Sequence, residues 1–119
     1  MLSHVVLFRP KPDLSADDAQ RFVVALERAL TSVPSVRRAT VGRRARIGAQ
    51  YEQLPQPDFP YIAVIEFDDR AGLEAYLGHP AHDELSQRFW ASLEATQIYD
   101  FEMEDSASGL RALLGGAAL

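Results

Sequence analysis

The sequence contains no cysteine and no long apolar run, and these two absences exclude several classes of protein. Among 119 residues there is no cysteine, so disulfide bonds, thiolate metal sites and a cysteine nucleophile are excluded. No apolar stretch approaches the roughly 20 residues that a transmembrane helix needs. The N-terminal residues also lack the basic and apolar regions of a signal peptide. We therefore expect a cytoplasmic protein that makes no contact with a membrane.

Basic residues are also in the minority. The chain has 12 Lys and Arg against 17 Asp and Glu, which gives a net charge of −5. Nucleic-acid-binding modules are usually basic overall and combine a basic patch with aromatic residues. Here the one arginine-rich stretch has no aromatic residue within it, so we expect no nucleic-acid partner. We expect its arginines to pair with acidic residues from the second half of the chain, within the fold or between subunits; they are Arg37, Arg38, Arg43, Arg44 and Arg46.

The hydrophobic pattern predicts an α+β chain with the element order β-α-β-β-α-β. Apolar and β-branched residues predict strands at residues 2–9, 36–44, 61–67 and 97–103. Helical spacing predicts one helix at 15–33 and a second helical region at 69–94, interrupted at Gly78-His79-Pro80. This order is typical of a ferredoxin-like subunit, a four-stranded antiparallel sheet with helices on one face. We assign residues 1–104 to this domain and 105–119 to a flexible C-terminal tail with at most one short helical turn.

Both faces of the central strands are apolar, although two helices can cover only one face of the sheet. We place Val5, Leu7, Ile62 and Val64 under the helices. At ~25 cal/mol per Å² of apolar surface, leaving the other face in water would forgo several kcal/mol. We therefore expect a homodimer in which two sheets pack face to face and enclose an apolar cavity of ligand size. The long loop at 45–60 is a hypothetical lid over this cavity. The residues expected to face the cavity or the partner are His4, Val6, Phe8, Tyr61, Ala63 and Ile65.

Two of the three histidines lie in one tetrapeptide, His79-Pro80-Ala81-His82, and Tyr76 precedes it by three residues. His82 falls in the first turn of the helix that Pro80 begins, where the helix dipole favours the neutral imidazole that a general base needs. A tyrosine hydroxyl in the same pocket can hydrogen-bond an enolate oxygen. The pattern therefore favours removal of a proton beside a carbonyl group.

Structural roles are the alternatives at each of these positions. His79 can serve only as a helix cap, His82 can be a packed core histidine, and His4 can be an exposed strand end. Tyr61 and Tyr76 can be core residues, and Phe89 and Trp90 are expected in the core. We expect no metal site, because two histidines three residues apart across a proline are poorly placed to bind zinc.

Several segments together resemble the stress-responsive A/B barrel (Dabb) family over about residues 1–104. They are Leu2-Ser3-His4-Val5-Val6-Leu7-Phe8, Val33-Pro34, Ile65-Glu66-Phe67, Tyr76-Leu77-Gly78-His79-Pro80-Ala81-His82 and Tyr99-Asp100-Phe101. The resemblance implies a dimeric α/β barrel of ferredoxin-like subunits. The nearest chemistry in the family is that of olivetolic acid cyclase, which closes a linear polyketide by intramolecular aldol condensation without a cofactor.

The resemblance also assigns roles to individual residues. The catalytic Tyr and His of the cyclase fall on Tyr76 and His82, its first-strand cavity His falls on His4, and an Asp of its last strand falls on Asp100. A cavity His of the cyclase is replaced by Tyr61 and a cavity Tyr by Leu26, so the polarity of the cavity differs. His82 would be the base and Tyr76 would stabilise the enolate. The substrate contacts would be His4, Val6, Phe8, Leu26, Tyr61, Ala63, Ile65, His79 and Asp100.

The resulting hypothesis is a homodimer that binds a small apolar carbonyl compound and has a cofactor-independent, polyketide cyclase-like activity. The alternative is a non-catalytic, stress-responsive dimer that binds a ligand or a partner. A cofactorless oxygenase is a third interpretation, which rests on analogy of fold alone.

Overall fold

The computed structural model describes residues 1–116, which form a four-stranded antiparallel sheet with helices packed on one face. The strands are β1 (Leu2–Pro10), β2 (Arg38–Arg43), β3 (Tyr61–Phe67) and β4 (Leu93–Glu102). The helices are α1 (Ala16–Ser32), α2 (Arg70–Leu77), α3 (Pro80–Ser92) and α4 (Gly109–Gly116). The strands lie in the order β2-β3-β1-β4, and each neighbouring pair is antiparallel. This is the ferredoxin-like subunit predicted from the sequence.

The three helices of the domain begin where the sequence provides a local cap. Ser15 and Asp69 each accept a hydrogen bond from the backbone N–H three residues later, at 3.1 and 2.9 Å. Pro80 occupies the first turn of α3, and His79 Nδ1 accepts from the N–H of Ala81 at 3.0 Å. Each contact satisfies a backbone donor that has no partner inside its helix. The predicted starts of α1, α2 and α3 are confirmed to within one residue.

The C-terminal part differs from the prediction in two places. β4 begins at Leu93, directly after α3, because Leu93 already has an extended backbone (φ −105°, ψ 142°). Leu93 pairs with Pro10 across an irregularity of the β1–β4 register, so the strand starts four residues earlier than expected. The tail carries the eight-residue helix α4 rather than a single turn. The predicted tail residues 117–119 lie outside the described residues.

The helices cover the sheet face opposite to the one predicted. Val6, Phe8, Ala63 and Ile65 are buried in the core with side chains of α1, α2 and α3. The alternate positions are only half-buried and lie on the open face of the sheet; they are Val5, Leu7, Ile62 and Val64. The prediction was wrong because both faces are apolar, and alternation shows which residues share a face without showing what covers it.

The loop at 45–60 contains a short 3₁₀ helix, Gln50–Gln53, and is held by Asp58. The Asp58 carboxylate accepts from Arg44 at 2.6 Å and from Arg46 at 3.2 Å, and its backbone carbonyl accepts from Arg9 at 2.7 Å. The loop lines a separate groove with Gln56, Pro57 and Phe59, and none of its residues lines the central cavity described below. The lid over the cavity stays a prediction.

Ion pairs join the basic first half of the chain to acidic residues of the second half. Besides the Asp58 pairs, Arg37 donates to Asp68 at 2.8 Å, and Arg28 of α1 donates to Glu84 of α3 at 2.7 Å. The expected pairing within the fold is therefore confirmed for Arg37, Arg44 and Arg46, whereas Arg43 forms no ion pair among the described residues. Among residues 1–116, no helix is both long and apolar enough to cross a membrane.

Candidate active site

A cavity of ≈ 260 Å³ lies between the sheet and the helices of one subunit. This position differs from the prediction, which put the cavity between two sheets of a dimer. The change follows from the reversed faces, because the side chains expected to face a cavity are those that the helices cover. Five predicted apolar contacts do line the cavity: Val6, Phe8, Leu26, Ala63 and Ile65.

Three polar aromatic side chains meet at the cavity wall, each from a different element. Tyr76 near the end of α2 lies between His4 of β1 and His82 of α3. The Tyr76 and His82 rings are 4.8 Å apart between centroids at 64°, and the Tyr76 and His4 rings are 6.0 Å apart at 62°. Because α2 ends at Leu77, with Gly78 as its C-cap, and α3 begins at Pro80, the break lets two consecutive helices each turn one of these rings toward the sheet.

His4 is oriented by a carboxylate from the edge strand. His4 and Asp100 are direct partners in the β1–β4 register, and His4 Nδ1 lies 2.6 Å from Asp100 Oδ1. The His4 side chain is 7% exposed and that of Asp100 is 44% exposed. Both residues line the cavity. His4 is therefore a buried cavity residue rather than an exposed strand end.

Burial determines the protonation states of the other two side chains, Tyr76 and His82. It raises the pKa of Tyr76 to about 12, so the phenol keeps its proton and can donate it in a hydrogen bond. It also lowers the pKa of His82, and His4 nearby acts in the same direction, against the smaller opposing effects of Asp83 and the Leu77 carbonyl. His82 Nδ1 is buried without a hydrogen-bond partner among the described residues. His82 is consequently a neutral imidazole at pH 7.

Two predicted substrate contacts lie elsewhere. His79 does not line the cavity, because its ring caps α3 instead. Tyr61 stacks on Phe8, with 5.7 Å between ring centroids at 27°, and lines two neighbouring grooves rather than the cavity. Trp90, expected in the core, is 60% exposed and forms part of the cavity lining.

Further lining residues were not selected from the sequence. Ser86 follows His82 by one helical turn, and Ile98 precedes Asp100 by two strand positions. Both spacings place a residue on the same face as a selected one, so the signal was present once His82 and Asp100 had been chosen. Among residues 1–116, no group of three or more His, Cys, Asp or Glu side chains could hold a metal ion.

Comparison with family models matches residues 2–103 to the Stress responsive A/B Barrel Domain, Dabb. The chain belongs to the Dabb family. The resemblance inferred from the strand and helix motifs is thereby confirmed at the level of the family. A comparison of this Dabb protein with curated sequences finds no significant match.

Solved structures similar to this Dabb protein share its fold at low sequence identity. A Dabb protein with a ferredoxin-like fold from Mesorhizobium loti has a TM-score of 0.68 at 22% identity, covering 87% of this chain and 96% of its own. A dimeric ferredoxin-like protein of unknown function from Jannaschia sp. has a TM-score of 0.68 at 23% identity, with coverages of 86% and 98%. The hydroxynitrile lyase of Passiflora edulis has a TM-score of 0.72 at 14% identity, with coverages of 88% and 94%.

Proposed function

We propose that this Dabb protein is a cytoplasmic, dimeric enzyme that removes a proton next to the carbonyl group of a small apolar compound, in the manner of a polyketide cyclase and without a cofactor. The observation that carries the proposal is the placement of Tyr76 between two imidazoles in the wall of an apolar cavity. A cavity lined mostly by hydrocarbon with a few convergent polar groups is the usual form of a small-molecule site.

Each group has a distinct part in the proposed reaction. An imidazole takes the proton from the carbon beside the carbonyl, and the electron pair of that C–H bond moves to the carbonyl oxygen. Tyr76, protonated because burial raises its pKa to about 12, donates a hydrogen bond to this developing enolate oxygen. The enolate carbon then attacks a second carbonyl carbon of the same molecule, and the new alkoxide takes up a proton to complete the aldol ring closure.

The apolar walls support this chemistry. Val6, Phe8 and Ile65 are each less than 10% exposed and line the cavity opposite the helices. They bind the hydrocarbon part of the ligand and exclude water, which strengthens hydrogen bonds to the enolate.

A second compound to assay is a cyanohydrin. One of the fold neighbours is a hydroxynitrile lyase, an enzyme that releases a carbonyl compound, and the proposed site binds a carbonyl group.

A linear poly-β-ketone with an alkyl tail tests the proposal, with ring closure followed by liquid chromatography and mass spectrometry. We expect Tyr76→Phe to lower kcat/KM by about 100-fold or more, because it removes one donor to the oxyanion, while Tm stays within a few degrees. His79→Asn is the matched control, because Asn retains the helix cap outside the cavity. A wild-type protein that binds the ketone and never converts it would instead support a non-catalytic ligand-binding dimer.

We also propose that a second copy of the chain covers the open face of the sheet. The centre of this face is apolar, with the half-buried Val5, Leu7, Ile62 and Val64. Tyr99 and Phe101 extend it across β4, and each is 49% exposed. The similar protein from Jannaschia sp. is described as dimeric, which agrees with this arrangement. An isologous pair of such faces buries the apolar surface of both copies.

A further inference from the structure

We propose that His4, positioned by Asp100, is the base that accepts the substrate proton, and that His82 is not. This inference rests on the proposed function and names the proton acceptor of the same site. It reverses the roles that the sequence assigned to the two histidines, because the structure gives only one of them a carboxylate.

The His4–Asp100 contact fixes which ring nitrogen faces the substrate. At 2.6 Å from Asp100 Oδ1, His4 Nδ1 carries the proton and donates it to the carboxylate, since an ionised carboxylate can only accept. The neutral ring then has its lone pair on Nε2. Because His4 lines the cavity, Nε2 is the nitrogen available to the ligand. A carboxylate in this position also stabilises the imidazolium that forms when Nε2 accepts a proton.

His82 lacks such support. Its Nδ1 is buried with no hydrogen-bond partner among the described residues, so no carboxylate orients the ring. Burial and the neighbouring His4 lower the pKa of His82, and they outweigh the opposing effects of Asp83 and the Leu77 carbonyl. A base must carry positive charge after the transfer, so the imidazole with the paired carboxylate is the better acceptor. His82 remains neutral beside Tyr76 and contributes to binding the carbonyl group.

Every proton transferred in this reaction moves between the substrate and His4. The substrate C–H proton moves to His4 Nε2, and the C–H electron pair becomes the enolate, whose oxygen Tyr76 contacts. The imidazolium keeps its Nδ1 proton against Asp100. After ring closure, Nε2 returns its proton to the alkoxide oxygen, and His4 is again neutral.

The base can be tested without knowing the natural substrate. 5-Nitrobenzisoxazole is an apolar probe that any well-placed base opens, because loss of its C3 proton breaks the N–O bond and gives a coloured cyanonitrophenolate.

We expect His4→Gln to lower the rate of this reaction by about 100-fold or more, the usual contribution of a general base. The loss should exceed that of His82→Gln by at least about tenfold. Asp100→Asn should lower the rate by about tenfold or more, and His79→Asn should leave it unchanged. A larger loss for His82→Gln than for His4→Gln would overturn the assignment.

A spectroscopic measurement on the wild-type protein covers the case in which a His4 variant fails to fold. In ¹⁵N-histidine-labelled protein, NMR distinguishes the protonated from the unprotonated ring nitrogen, and we expect neutral His4 to carry its proton on Nδ1. A proton on Nε2 would contradict the proposal. If the dyad is confirmed by both measurements while no poly-β-ketone is converted, the proposed function fails and the dyad stands. If the ketone is cyclised equally well by His4→Gln, the dyad alone is refuted.

Discussion

At the scale of single residues, His82 combines burial with an unsatisfied nitrogen. Its Nδ1 has no hydrogen-bond partner among residues 1–116, and burial lowers its pKa below 6.5. A polar atom left in this state costs free energy, and such costs concentrate at sites that bind ligands. Because a buried imidazole without a partner resists protonation, His82 links the stability of the fold to pH.

The stability of the protein should therefore fall as the pH is lowered past 6.5, the ordinary value for His82. Below that pH, His82 binds a proton in the unfolded chain but not in the folded protein, so the free energy of unfolding decreases as the pH falls. The decrease ends once the pH is below the lowered pKa of His82 in the folded protein. Urea denaturation at about pH 7.5 and at about pH 5.5 measures the loss. We expect His82→Gln to lose less than the wild type over this interval. Equal losses in the two proteins would show that His82 does not contribute.

His4 shows why single residues of the site were only partly predictable. Its position in an apolar strand permitted either an exposed strand end or a cavity residue. Which of the two positions His4 takes depends on Asp100. Asp100 is 96 positions away in sequence and is brought opposite His4 by the β1–β4 register. The family resemblance placed both residues in the site, whereas their contact required the folded sheet.

At the scale of elements, the break between α2 and α3 positions the site. His79 caps α3 through Nδ1, Pro80 fixes its first turn, and His82 follows in that same turn. The cap thus holds the helix end that carries His82, even though the His79 ring lies outside the cavity lining.

Removal of this cap should cost stability and leave the chemistry unchanged. We expect His79→Ala to lower the free energy of unfolding by about 1 kcal/mol, because the N–H of Ala81 loses its acceptor, and His79→Asn to restore most of it. Urea denaturation measures both variants beside the wild type, and the benzisoxazole rate checks the site. A His79→Ala protein that is as stable as the wild type would indicate that water replaces the cap at no cost.

Helix starts and strand faces differ in how far the sequence determines them. The starts of α1 and α2 follow from Ser15 and Asp69, whose side chains bond backbone groups three residues away, so local sequence suffices. The covered face of β1 and β3 depends on the packing of α1 and α3, which strand alternation does not encode when both faces are apolar. For this reason the element order was predicted correctly, whereas the covered face and the location of the cavity were not.

At the scale of the whole molecule, the open face of the sheet is an apolar surface that the helices leave uncovered. Its central row runs from Tyr99 through Val5 and Val64 to Thr40, which are cross-strand partners in that order. The cavity lies on the other side of the sheet, so the proposed second copy would pack against the β1 and β3 backbones that carry the cavity wall. The proposed dimer surface and the cavity lie on opposite faces of one sheet, so a substitution can be placed on one face without changing the side chains of the other.

The proposed dimer can be tested by placing a charge at the centre of the open face. Val64 is half-buried there, and Val64→Glu would force an unpaired carboxylate from each copy into the interface, at a cost of several kcal/mol. In sedimentation equilibrium, we expect the wild type at twice the 13.2 kDa of one chain and the variant at the mass of a single chain.

Val41→Glu is the matched control, because Val41 is 63% exposed and, as the partner of Ala63, lies on the helix-covered side. Far-UV circular dichroism of the variant checks that its subunit remains folded. A wild type that sediments as one chain, or a Val64→Glu protein that dimerises as tightly as Val41→Glu, would refute the arrangement, since neither result is compatible with an apolar interface centred on Val64.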